Sequence, residues 1–345
     1  MNPMIDSNEN TISIQVPGKI SISQNMVAFM KDRSNRVTIY DDIETMRNVI
    51  SEIEVPVSST HNLDLNITSD ERHLIISSHG STYVISTSDW VLKHMIENLS
   101  YTRISYNGKY ILTYSVDYPS ESDTILQLKL FEVDTGRMVL SMEKDMFNLP
   151  SIQSDYPGVD VEDVIPSNDG KYIAICIRYG EYDPEDIDAD PDDLKTYWDY
   201  DIWVISVDDY VNGRGDYYVN KYTTDVDYIA DFAFDEMNQI TILTDRRDDS
   251  NMIKWNPFTN NDNNYKYNMP YDHTSLFIGT IFSPDGNYFA YDRRNRVTVI
   301  DIVNKVIVKT FDVKNDYYYV KWSNDNKYIS YGYYKLSVTH KLPIQ

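Results

Sequence analysis

One short turn sequence recurs along this chain and constrains its fold more than any other feature. It reads Ser105-Tyr106-Asn107-Gly108-Lys109-Tyr110, Ser167-Asn168-Asp169-Gly170-Lys171-Tyr172, Ser283-Pro284-Asp285-Gly286-Asn287-Tyr288 and Ser323-Asn324-Asp325-Asn326-Lys327-Tyr328, with looser copies at Ser23, Thr68 and Asp235. Asx and Gly tolerate the left-handed backbone of a tight hairpin, and the aromatic that follows restarts a strand. A second match is closer. Asp32-Arg33-Ser34-Asn35-Arg36-Val37-Thr38-Ile39-Tyr40-Asp41 and Asp292-Arg293-Arg294-Asn295-Arg296-Val297-Thr298-Val299-Ile300-Asp301 are identical at seven of ten positions. Repeats of this kind decide the architecture before any single element does.

The units begin near residues 19, 61, 99, 158, 226, 274 and 315. Their spacing of about 40 residues, stretched by insertions, is the period of a four-stranded propeller blade. In the clearest unit the strands are Leu276 to Phe282, Tyr288 to Tyr291, Arg296 to Asp301 and Val306 to Phe311. The sequence therefore predicts an all-β, seven-bladed β-propeller occupying residues 1–345 as one domain. The seventh unit has only three strands, Tyr317 to Ser323, Tyr328 to Tyr331 and Leu336 to His340. Thr11 to Val16 alternates as a strand and lacks a partner of its own, so it is expected to complete blade seven and close the ring. Ser88 to Asn98 has some helical character, yet blade two needs an outer strand there and a strand is expected.

Composition agrees. Ala occurs six times against 30 Tyr and 36 Ile, which starves helices and favours pleated sheet. The net charge of -23 opposes binding to nucleic acid or anionic membrane unless basic residues cluster. Cys176 lies in the apolar run Ile173 to Ile177, where a lone thiol is inert, and it fits a reducing, intracellular setting. The first ten residues lack a basic region followed by an apolar stretch, and no window approaches the length of a membrane span; the sequence thus predicts neither secretion nor membrane insertion.

The unit beginning at Asp272 resembles a WD-repeat. His273 lies nine residues before Phe282, where that family places the His of its Gly-His pair, and Ile300-Asp301 stands at the Trp-Asp position. Other blades carry Tyr40-Asp41, Ile85-Ser86, Phe131-Glu132, Ile205-Ser206 and Trp255-Asn256 there. No blade carries both signatures, so the likeness is to degenerate members, with generic β-packing in place of the family's side-chain network. The Asn, Ile, Tyr and Asp bias also looks like the degenerate WD-repeat proteins of large amoeba-infecting DNA viruses. The resemblance implies a platform without chemistry of its own, needing no cofactor and binding protein partners, monomeric within a larger complex. Its implied location is the cytoplasm, or a host cytoplasm or virion on the viral likeness.

The turns between second and third strands share one face. They carry Arg33 and Arg36 in blade one, Arg246 and Arg247 in blade five, Arg293, Arg294 and Arg296 in blade six, and Tyr333, Tyr334 and Lys335 in blade seven. These blades are consecutive around a closed ring. Such a sector suits an anionic or acidic partner, because Arg pairs bidentately with carboxylate or phosphate; alternatively each Arg pairs with a neighbouring Asp and solvates its turn. Blade four carries an acidic insertion, 178–200, whose Asp186, Asp188, Asp190 and Asp192 have alternate spacing like a calcium loop. Pro191 and Tyr197 stand where such a loop wants Gly and Glu, which favours a solvated or partner-binding arm.

Asp160, Glu162, Asp163, Asp225, Asp227, Asp272 and Asp316 sit where innermost strands enter. They admit a second reading, a metal-dependent hydrolase similar to the sugar lactonases, against ordinary strand-end charge. The six His residues show no zinc spacing, and no phosphate loop, nucleophile elbow or Cys pair occurs. Arg214-Gly215-Asp216 matches an adhesion tripeptide by chance.

Overall fold

The computed structural model describes residues 4–8, 11–16, 18–31, 34–41, 46–56, 64–78, 80–120, 123–146, 158–182, 196–224, 228–235, 237–245, 251–259, 265–268, 280–283, 286–293, 296–312, 319–323, 326–333 and 336–342. It is a seven-bladed β-propeller. Blade one comprises β3 (Gly18–Ile22), β4 (Val27–Lys31), β5 (Arg36–Tyr40) and β6 (Val49–Glu54). Blade two holds β7 (Asp64–Ile67), β8 (His73–Ser77), β9 (Ser81–Ser86) and β10 (Leu92–Glu97). Blade three holds β11 (Tyr101–Ile104), β12 (Tyr110–Ser120), β13 (Asp123–Glu132) and β14 (Met138–Asp145). Blade four holds β15 (Gly158–Pro166), β16 (Tyr172–Tyr182), β17 (Thr196–Ser206) and β18 (Tyr218–Thr224). Blade five holds β19 (Tyr228–Phe234), β20 (Ile240–Asp245), β21 (Asn251–Trp255) and β22 (Tyr265–Asn268). Blade six holds β23 (Thr280–Phe282), β24 (Tyr288–Arg293), β25 (Arg296–Asp301) and β26 (Val306–Asp312).

Blade seven closes the ring with both ends of the sequence. β27 (Tyr319–Trp322), β28 (Tyr328–Tyr333) and β29 (Leu336–Lys341) are followed in the sheet by β2 (Thr11–Val16), which pairs antiparallel with β29 from Ser13 opposite His340 to Val16 opposite Ser337. One strand was not foreseen. β1 (Met4–Asn8) folds back on β2 and makes this a five-stranded blade.

Seven hydrophobic clusters fill the seven gaps between neighbouring blades. Tyr328 packs with Ile20 and Phe29 in the gap between blades seven and one, and Ile75 packs with Ile111 in the gap between two and three. Middle strands such as β8 are buried throughout, whereas the outermost β6, β10 and β26 are largely exposed. That gradient explains why middle strands read as unbroken apolar runs instead of alternating. Cys176, midway along β16, is buried, and burial first, then the Glu162, Asp163 and Asp201 charges, push its thiol well up. Ser88 to Asn98 yields the strand β10, as expected.

The recurring turn explains itself at atomic level. Ser105 Oγ receives the Tyr110 N–H at 3.0 Å and donates to Asn107 Oδ1 at 2.9 Å, which also takes the Lys109 N–H at 3.0 Å. Ser167, Asp169, Lys171 and Tyr172 repeat the pattern. Gly108 and Gly170 have φ of +72° and +69°, and each lies against the preceding blade, on Thr68 and on the Tyr110 ring. The turns also bond to one another. Asn25 donates to Glu71, Ser69 to the Asn107 carbonyl, Asn107 to Asn168, and Asn238 to Asp169, linking blades one to five along one face. The repeated Asx residues thus serve as ties between blades. Asp301, at the Trp-Asp position, accepts from Asn304 N and Nδ2, both at 2.8 Å, and caps its own turn. His273 lies outside the described residues.

Two insertions differ from a plain blade. β16 and β17 remain paired as far as Tyr182 opposite Thr196, so strand continues into the 178–200 insertion, and the carboxylates from Asp186 to Asp192 lie outside the described residues. A short helix, α1 (Val207–Val211), follows β17; its cap is Ser206, whose Oγ takes the Asp209 N–H. Arg214 behind it is tied to Asp209 at 2.6 Å.

Candidate functional site

Strands alternate in direction, so the turns joining second to third strands emerge on the face opposite the Asx-tied turns. Arg36 and Arg296 each open the third strand of their blade, opposite Glu54 and Asp312 of the outermost strand. Their side chains are 60% and 65% exposed and ion-pair with Glu52 at 3.5 Å and Asp312 at 2.9 Å. Exposed pairs of this kind are worth about 0–1 kcal/mol and open readily to a competitor. Of the remaining sector, Arg293 and Tyr333 are placed only as backbone at strand ends, Arg293 opposite Arg296 and Tyr333 opposite Leu336. Arg33, Arg246, Arg247, Arg294, Tyr334 and Lys335 lie outside the described residues.

The innermost strands of all seven blades line a central cavity of about 670 Å³. Tyr106, from the first turn of blade three, reaches across to the cluster shared by blades five and six and hydrogen-bonds the Phe282 backbone. Arg103 donates from Nε to Asp163 Oδ1 at 2.9 Å and Oδ2 at 3.2 Å; Asp163 Oδ1 also takes the Tyr114 hydroxyl at 3.0 Å and its neighbour Val164 N–H at 2.8 Å. On the far side of blade one, Lys321 of blade seven ion-pairs with Asp64 of blade two and donates to the Leu65 carbonyl at 2.9 Å. Asp231 also lines the cavity, its Oδ1 accepting the Phe232 N–H at 2.8 Å. It is partly exposed, yet it lies deep in the molecule, and burial first, then the Asp163 charge, push its carboxyl well above the usual carboxylate range.

Of the strand-entry carboxylates read from sequence, Asp163 faces this cavity, whereas Asp160 and Glu162 share Arg178, at 2.6 and 2.9 Å. The Tyr118 hydroxyl also bonds to Asp160. Asp225, Asp227, Asp272 and Asp316 lie outside the described residues. Among the described residues, no three His, Cys, Asp or Glu side chains converge as a metal-ligand set. Asp64, Arg103, Asp231 and Lys321 escaped the sequence reading. Their only signal was place: Asp64, Asp163 and Asp231 stand four residues before a turn anchor, Arg103 and Lys321 two residues before one.

No helix among the described residues is long and apolar enough to cross a membrane. No family model and no curated protein matches the chain. Among solved structures, the chain is similar to the β-propeller domain of Cps50 (Swd1) from Myceliophteria thermophila, at 10% identity and TM-score 0.60, with 95% of this chain and 99% of that one covered. It is similar also to Raptor from Chaetomium thermophilum, at 11% identity and TM-score 0.61, covering 99% of this chain and 28% of that one. At such identities the likeness is one of fold, and the fold it supports is the seven-bladed propeller seen here.

Proposed function

We propose that this chain is a non-enzymatic, intracellular platform that binds an anionic protein partner across the second-to-third-strand turns of blades five, six, seven and one. The observation carrying this reading is the equivalence of Arg36 and Arg296: both open a third strand, both are exposed, and both are held only by weak surface pairs. A closed ring holds the strand ends that carry its loops at fixed positions, which suits a platform for a partner. The hydrolase alternative needs free carboxylates at the channel mouth, and those of its set among the described residues, Asp160, Glu162 and Asp163, are engaged by Arg178 and Arg103.

The test reverses charge. The Arg293→Glu/Arg294→Glu/Arg296→Glu variant and wild type are used to capture partners from the cells that make the protein, after circular dichroism shows the variant folded. The proposal expects a specific acidic partner to be lost. An unchanged partner set, or retention of nucleic acid in place of protein with steep salt dependence, would overturn it.

A further inference from the structure

Three carboxylates occupy one repeat position, four residues before the turn anchor, in blades two, four and five: Asp64, Asp163 and Asp231. Two of them have a resident cation supplied by the innermost strand of another blade, two residues before that blade's anchor. Lys321 of blade seven serves Asp64, and Arg103 of blade three serves Asp163. Asp231 has none: among the described residues no Lys, Arg or His lies within ion-pairing distance of it, and its sole bond is to the adjacent Phe232 N–H. It faces a cavity of about 670 Å³, within the range of small-ligand pockets. Phe232, Phe234 and Phe282 border the cavity, with their side chains buried in the clusters between blades.

We propose that the channel binds a small organic cation, an ammonium or guanidinium group, with its charged end on the Asp231 carboxylate. The ligand supplies the third cation that the repeat pattern lacks. Binding proceeds with a proton change. Burial and the Asp163 charge favour the protonated form of Asp231 in the empty channel and an arriving cation favours the carboxylate, so binding draws off the proton that Asp231 holds. The charged and titratable groups facing it are Asp163 and Arg103, which already neutralise each other, and Tyr106 below; Asp64 and Lys321 form a second neutral pair further round. An anionic ligand is disfavoured, because neither Arg103 nor Lys321 is free of its carboxylate. This site is independent of the outer Arg sector.

Isothermal titration of the full chain with butylamine and agmatine, against butyrate and butanol, tests the proposal. The expected result is saturable binding of the amines alone, with proton release on binding, read from the dependence of heat on buffer ionisation enthalpy. Asp231→Asn, an isostere of the neutral carboxyl, should weaken binding at least about tenfold and abolish proton release. A short peptide with one exposed Arg forms a second arm. Tighter binding of the peptide identifies a protein side chain as the source of the cation, and tighter binding of the free amines identifies a small molecule. Failure of both probes at millimolar concentration, binding without proton release, or preference for butyrate would overturn the proposal, and none of these readings depends on how the variant folds.

Discussion

Three glycines allow backbone strain and steric clash to be measured separately in this fold. Gly108 has φ +72°, and a Cβ built there would sit 2.7 Å from Thr68 Cγ2 and 2.8 Å from Thr68 Cα of the preceding blade. Gly213 has nearly the same φ, +67°, with nothing within 4 Å, and Gly80 has neither a positive φ nor a neighbour. Gly80→Ala should therefore be neutral or stabilise by about 0.4–1 kcal/mol through the unfolded chain. Gly213→Ala isolates the left-handed penalty, about 1–2 kcal/mol. Gly108→Ala adds an overpacking cost of about 1–3 kcal/mol, for a total of about 2–5. Trimming Thr68 should not rescue it, because the Thr68 backbone itself is in the way. The assay is urea unfolding of the three variants, comparing midpoints at constant m. If Gly108→Ala falls within about 0.5 kcal/mol of Gly213→Ala, the close docking of each turn on the previous blade is wrong.

Removal of residues 1–17 takes away β1 and β2 and leaves the outer edge of β29 unpaired, so the melting temperature should fall sharply; a truncated chain that melts like the full one would refute closure by the N-terminal strand. Asp231, with its folded carboxyl pushed above the unfolded value by burial, binds a proton that the unfolded chain has lost. Wild-type stability should thus fall as pH rises from about 4 towards the raised value, by up to about 1.4 kcal/mol per pH unit, and Asp231→Asn should remove that slope while matching wild type below pH 4. His340 works in the opposite sense. Burial first, then Lys309, hold it down to about 4, and it stacks on Phe311 at 4.2 Å. Stability should fall as pH drops from about 6.5 to about 4, by up to about 3 kcal/mol, and His340→Gln melts recorded across that window should flatten the loss.

Much of the ring was legible because its signals are local. Turns Ser105 to Tyr110 and Ser167 to Tyr172 carry their own hydrogen-bond logic within six residues, and β25 occupies the predicted Arg296 to Asp301. The strand Thr11 to Val16 was readable because a propeller with a three-stranded last blade has an obvious vacancy. β1 was not, since a fifth strand answers no vacancy. α1 was not, because five residues capped by Ser206 rise above no periodicity. The paired ends of the insertion were hidden by their charge: Glu181 opposite Tyr197 and Tyr179 opposite Asp199 continue a ladder whose strength is backbone bonding, which composition does not report.

The channel was harder to read for a reason peculiar to closed repeats. Asp64 and Lys321 are 257 residues apart and belong to blades two and seven, which come to flank blade one only because the ring closes. Arg103 and Asp163 are 60 residues apart and meet across adjacent blades. In each pair the acid stands four residues before its own anchor and the base two residues before its own. Within one blade these positions lie on the same inward face of the innermost strand, and the pairing rule appears only when blades are superimposed and then placed in angular order. Once it is seen, Asp231 stands out as an acid in the right place without a base, whereas in the linear sequence it is one Asp among many. Channel chemistry in a propeller is therefore written at fixed offsets from the turn anchors, and the informative comparison is blade against blade within one chain.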